Sequence, residues 1–134
     1  MSNVPADLLY SAEHEYVKQT ADAGEGAGGV VQIGVTDYAQ GELGDVVFVD
    51  LPKLGATFGR MEVFGTIEAV KAVSELYAPV AGTVTAVNGA LEKDPAVVNR
   101  DPYGDGWMIK LRVKDRADFD RLMKSDAYKK HVGE

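Results

Sequence analysis

The chain is predicted to be mainly β, a sandwich or barrel of short strands with short helices near its ends. Three observations predict this. From Ala56 to Val87, β-prone runs ("TFGRMEVFGTI", "ELYAPV", "GTVTAV") are punctuated by Gly and Pro. "WMIKLRV" sets Trp107, Ile109, Leu111 and Val113 against Met108, Lys110 and Arg112, a strand with one buried face. "GDVVFVD" (44–50) and "GTVTAVN" (82–88) share the pattern G-x-V-x-x-V-[Asp/Asn], as if two related halves pack face to face.

In chain order, a short helical or irregular start around Ala6 to Leu9 precedes two strands, "EYVKQT" and "GGVVQIGVT". The glycines of "ADAGEGAGG" between them predict a mobile hairpin loop. No helix follows them, as a phosphate cradle would need. Thr36 is placed to cap a short helix, "DYAQGEL", that Gly44 ends. The unbroken apolar run of "DVVFVDLP" predicts a strand buried on both faces, closed by Pro52. "NGALEKDPAVVNRDPYGDGW" is turn-rich and expected to wrap the surface, with Pro95 and Pro102 in extended or turn geometry. The lone Trp107 is expected to be a packing anchor. A C-terminal helical extension over about 115–132 begins with Asp115 capping a helix that carries Phe119, Leu122 and Met123 at i, i+3 and i+4. Ser125 then caps a last helix containing Tyr128 and Val132.

Composition narrows the function. With 134 residues, 46% of them apolar, the chain has material for one domain and one core. Having no cysteine, it has no disulfide, no thiolate metal site and no Cys nucleophile. Its net charge is −7, with the 14 basic residues scattered, which argues against nucleic acid and against a polybasic membrane anchor. "MSNVPADLLYSAEHEY" has neither signal- nor transit-peptide character, so a cytoplasmic protein is expected, acting as a monomer. His14 and His131 stand in no HExxH or Ser/His/Asp spacing, so neither an enzyme active site nor a metal site is expected.

Lys71 is the only lysine between Lys53 and Lys93, in the middle of "IEAVKAVSELY". An amphipathic helix would pair Lys71 with Glu68 or Glu75 on a solvated face. Against that, apolar residues at 67, 69, 70, 72, 73, 76 and 77 surround the helix axis, and Gly65 and Pro79 leave little room. A hairpin whose tip presents Lys71 is the better reading, and the ε-amine there is suited to acylation. On the residues alone, Glu13 and Glu15 read as solvated acids beside His14.

The run "GTIEAVKAVSELYAPVAGTVTAVN" (65–88) resembles the lipoyl-attachment segment of the glycine cleavage system H proteins. "EHEYV" (13–17), "IGVTDYAQGELGDVVFVDLP" (33–52) and "VNRDPYGDGWMIKL" (98–111) resemble further blocks of that family, in the same order. Tyr16 stands where the family often has Trp, Tyr38 where it has His or Tyr, and Glu75 where Asp is more usual. The resemblance implies the lipoyl/biotinyl-type β sandwich, a barrel-sandwich hybrid, with (R)-lipoate carried as an amide on Lys71. It also implies carriage rather than catalysis. An aminomethyl group is taken from the pyridoxal-phosphate glycine decarboxylase to the aminomethyltransferase, and the dithiol is then reoxidised by dihydrolipoamide dehydrogenase. A lipoyl-attaching enzyme is a further implied partner. By the same resemblance Glu15, with Glu13, Ile33 and Glu75 as neighbours, lines the cleft that shelters the loaded arm. Glu68 is expected to help partners recognise the tip, its other reading being solubility. "AVKAV" disfavours a 2-oxoacid dehydrogenase lipoyl domain and a biotin carrier, which show Asp-Lys-Ala and Met-Lys-Met. A lipoyl relay or binding module outside glycine cleavage is the competing reading.

Overall fold

Val17, Val31 and Ile33 are almost fully buried, and their alternation with polar neighbours draws two antiparallel strands together. These are β2 (Glu15–Gln19) and β3 (Val30–Val35), paired so that Val17 faces Ile33. The structure, a computed structural model, describes residues 2–20 and 29–134. The glycine-rich loop expected at 21–29 therefore lies almost wholly outside the described residues.

Two antiparallel sheets form the described molecule. The first has the order β1 (Leu9–Tyr10), β2, β3, β9 (Ile109–Val113), β8 (Gly82–Val87), β5 (Thr57–Phe58). The second is β4 (Val46–Asp50), β6 (Val63–Ala69), β7 (Val73–Tyr77). Their inner faces share one core in which Val17, Ile33 and Leu111 meet Val49, Ile67 and Leu76. Each such side chain contributes on the order of 1.5–3 kcal/mol by leaving water. The expected sandwich is therefore present.

The repeated G-x-V-x-x-V pattern has a geometric cause. Strand residues three apart normally face opposite ways, yet Val46 and Val49 are both 4% exposed. A register shift between Val46 and Phe48 in β4, matched by one between Val84 and Ala86 in β8, inserts the extra residue that turns both valines inward. One copy of the pattern lies in each sheet. The same bulge overturns the expectation that β4 is buried on both faces. Val47 and Phe48 are 53% and 48% exposed, because the outer face of the small sheet carries no covering layer among the described residues.

The start is of the irregular kind, residues 6–7 forming a turn that leads into β1. Four other expectations change. The stretch from 89 to 106 contains two helical turns, α2 (Ala90–Lys93) and α3 (Val97–Arg100), whose Leu91 and Val98 plug into the core. Trp107 is only half-buried, with the Lys110 ammonium 5.2 Å from its ring centroid, while Met108 is fully buried. Strand alternation starts only at Ile109, so the face assignment before it fails. Asp115 caps as expected, accepting from Ala117 N, but the helix it opens, Arg116–Arg121, is of the tighter 3-10 type. Asp118 ties it to the sheet by accepting from Ala81 N at 2.9 Å, and Met123 pairs with Tyr10. In α4 (Ser125–His131) Ser125 is the first helical residue rather than the cap, and Lys124 precedes it without a side-chain bond.

The helix α1 (Asp37–Leu43) forms where expected. Thr36 Oγ1 accepts from Ala39 N, and Gly44 closes the helix at φ +81°, a conformation that glycine adopts without strain.

Candidate functional site

Glu68 pairs with Val73 and Thr66 with Glu75 across β6 and β7, so the segment around Lys71 is a hairpin rather than a helix. Ala69 N donates to Ala72 O at 2.8 Å, and Val70 N donates to Asp45 O at 3.0 Å. Neither Val70 nor Lys71 has positive φ, which excludes the mirror-image turns and explains the missing Asn-Gly. Val70 is 73% exposed, and Lys71 is exposed with no hydrogen bond or ion pair among the described residues. The lysine stem lies over the end of α1, where a Cβ on Gly44 would sit 3.6 Å from Lys71 Cε. The free carbonyls of a helix C-terminus favour a cation there.

Beyond Gly44 opens a cavity of about 290 Å³. One wall is the strap that joins β1 to β2, with Glu13, His14 and Glu15. A second is α1, with Tyr38, Ala39, Glu42 and Leu43 on its i, i+4 face. The Lys71 hairpin supplies Ile67, Ser74, Glu75 and Leu76, and Val35 sits at the end of β3.

Glu15 is the chemically unusual group. Its side chain is 1% exposed and accepts from Ser11 Oγ at 2.8 Å and, more weakly, from Tyr77 N at 3.4 Å. No cation of the described residues pairs with it. Burial pushes its carboxyl up to about 8, with the Ser11 hydrogen bond pulling the other way. The expected cleft residues separate on inspection. Glu13 is exposed at the rim, and Glu75 lines the cavity together with its neighbours Ser74 and Leu76. Ile33 does not reach the lining. It is fully buried between Val17 and Ile109, and Val35, two residues along the same strand face, stands where Ile33 was expected. Glu68 is on the outer face of the small sheet, opposite Phe48 and Val73.

His14 stands in no catalytic or metal-site spacing, yet the fold holds it at several points. It adopts φ +75°, bonds Tyr128 Oη through Nδ1 at 2.8 Å, and packs against the rings of Tyr38 and His131. Burial, then the neighbouring His131, lowers its pKa from the usual histidine value. The available signal was the "EHE" triplet, whose three members all line the cavity.

With this geometry in hand, comparison with known proteins adds a family. Residues 8–134 match the family model described as "Glycine cleavage H-protein". A glycine cleavage system H protein of Chlorobium phaeovibrioides is 50% identical over 131 residues, covering 98% of both chains. One from Opitutus terrae is 50% identical over 99% of this chain and 100% of its own. The crystal structure of a glycine cleavage system H protein from Mycobacterium marinum superposes with a TM-score of 0.86 at 36% identity, over 98% of this chain and 100% of that one.

Proposed function

The chain belongs to the glycine cleavage H-protein family, and from that membership we propose that Lys71 is the residue on which it carries lipoate. It is a lipoate carrier of the glycine cleavage system, with the barrel-sandwich fold of its relatives. The observation that carries the Lys71 assignment is one exposed, unpartnered lysine at a hairpin tip beside a cavity that holds a buried, unpaired carboxyl.

The residues fit a lipoyl group. Lys71 offers a free amine, Gly44 leaves room for its stem, and Val35, Leu43, Ile67 and Leu76 give the cavity an apolar interior. When bound, lipoate supplies a disulfide that opens to a dithiol and accepts a one-carbon fragment. The protein's own part is tethering and shelter. The hairpin raises the arm's effective concentration at each partner's site. An arm seated in the cavity is shielded from water, and Glu15 offers a carboxylate to an ammonium cargo. A cation at that point favours the ionised form, reversing the effect of burial on Glu15. Glu13 adds negative charge at the entrance, and Glu75 borders it from the hairpin. Glu68, on the outer face, is available to the lipoyl-attaching enzyme or another partner. The partners this reading calls for are the glycine decarboxylase, the aminomethyltransferase and dihydrolipoamide dehydrogenase, with the chain acting as carrier rather than enzyme.

Intact-mass spectrometry with peptide mapping, after incubation with lipoate and a lipoylating enzyme, tests the assignment. A single lipoyl mass on Lys71, absent from Lys71→Arg, is expected. An unmodified Lys71, under conditions that lipoylate a known H protein, would overturn it. Glycine-dependent CO2 exchange with the decarboxylase then distinguishes glycine carriage from a relay role.

A further inference from the structure

None of the α4 residues lines the cavity, yet α4 touches both walls that hold the acids. Tyr128 is fully buried, its ring stacked on Tyr10 with centroids 4.6 Å apart and planes 12° from parallel. Its hydroxyl oxygen lies 2.8 Å from Thr36 Oγ1 and 2.8 Å from His14 Nδ1. Thr36 is the cap of α1. His14 separates Glu13 from Glu15, and the walls also meet directly where Thr36 N donates to His14 O at 3.0 Å.

Counting protons orders this chain of contacts. Thr36 Oγ1 is buried and already accepts from Ala39 N at 3.2 Å, so its own proton needs an acceptor, and Tyr128 Oη is the one within reach. The Tyr128 proton then goes to His14 Nδ1, leaving the imidazole proton on Nε2. A histidine in this left-handed conformation is strained, and persists where its surroundings over-determine it.

We propose that Tyr128 is a positioning residue for the Glu15 carboxyl. Its hydroxyl relays Thr36 to His14, pins the strap in its left-handed turn, and fixes the acidic wall of the cavity to the cap of α1. The inference rests on the reading of that cavity as the arm's shelter. The groups facing His14 are Glu13 on its own strap, Tyr38 and Glu42 on α1, and Tyr128 and His131 on α4.

Tyr128→Phe in the full chain keeps the ring and its stack while removing both hydrogen bonds. Imidazole nitrogen NMR of the unlipoylated protein should show loss of the single Nε2–H tautomer and a higher His14 titration midpoint. The Glu15 carboxyl carbon signal should move. The lipoylated, glycine-loaded variant should release formaldehyde and ammonia roughly fivefold faster, the scale of one lost buried hydrogen bond. Thr36→Ser, which keeps the hydroxyl, should behave as the parent. Unchanged His14 and Glu15 signals in a folded variant would overturn the proposal, as would an Nδ1–H tautomer in the parent, a measurement that needs no variant. Changed signals with unchanged release would uphold the positioning role and overturn the sheltering role of the cavity.

Discussion

Between Ala69 and Ala72 the chain turns on one backbone hydrogen bond and leaves Val70 and Lys71 in water. Between Ser11 and Glu15, on the facing wall of the same cavity, a turn of similar span is closed by four. Ser11 N donates to Glu15 O, His14 N to Ser11 O, Ser11 Oγ to Glu15 Oε1, and Glu15 N to Ser11 Oγ. The first turn tolerates loose closure because its exposed Lys71 amine stays hydrated and needs no partner from the protein. The second is tight because a carboxyl taken out of water needs every polar neighbour satisfied. Reach and shelter thus call for opposite constructions on facing walls of one cavity.

Exchanging the properties of the two turns would break that contrast. The largest effect is expected at the tip. Lys71→Arg should abolish attachment completely and change stability by less than about 0.5 kcal/mol, as read by urea denaturation. Next come two hairpin neighbours on opposite faces. Ile67→Ala, 1% exposed, should cost about 2–4 kcal/mol, while Val73→Ala, 66% exposed, should cost less than about 0.5. Similar losses for both would mean that the hairpin is not one-sided.

On the strap, the test is the sign of a pH dependence. Folded Glu15 keeps its proton to about pH 8, whereas an ordinary glutamate releases it near 4.5. The folded state therefore holds the extra proton between those values, and stability falls as pH rises through that window. Glu15→Gln should remove this slope when urea midpoints are compared at about pH 5 and about pH 8. Glu15→Ala should leave lipoylation intact and speed loss of formaldehyde and ammonia from the loaded protein. Equal release from mutant and parent would count against a sheltering carboxyl. The smallest change is expected from Glu68→Ala, which should leave stability unaltered and slow lipoylation by about twofold, the scale of one exposed charge contact. A rate identical to the parent's would make Glu68 a solubility residue.

Local chemistry explains which of these features the sequence disclosed. The hairpin was readable because the apolar residues around Lys71 fit no helical stripe, and α1 because Thr36 and Gly44 mark its ends. Val47 and Phe48 misled because a bulge breaks the period-2 rule without leaving a residue signature. Trp107 and Met108 exchanged places because alternation predicts faces only inside a paired strand. Glu15 looked solvated because its burial depends on α1 and the hairpin, which meet it only in three dimensions. Tyr128 was legible as a member of the last helix, but its hydroxyl contacts join positions 14, 36 and 128. Ile33 was displaced from the cavity by the point at which β3 ends, a boundary that strand propensity sets only loosely.

The bond from α4 to the strap also has a consequence for the order of events during synthesis. The Lys71 hairpin is a local structure, complete once β7 has emerged from the ribosome. The brace on Glu15 requires contacts across most of the chain and waits for residues made much later. A nascent chain therefore presents Lys71 before its cavity is finished.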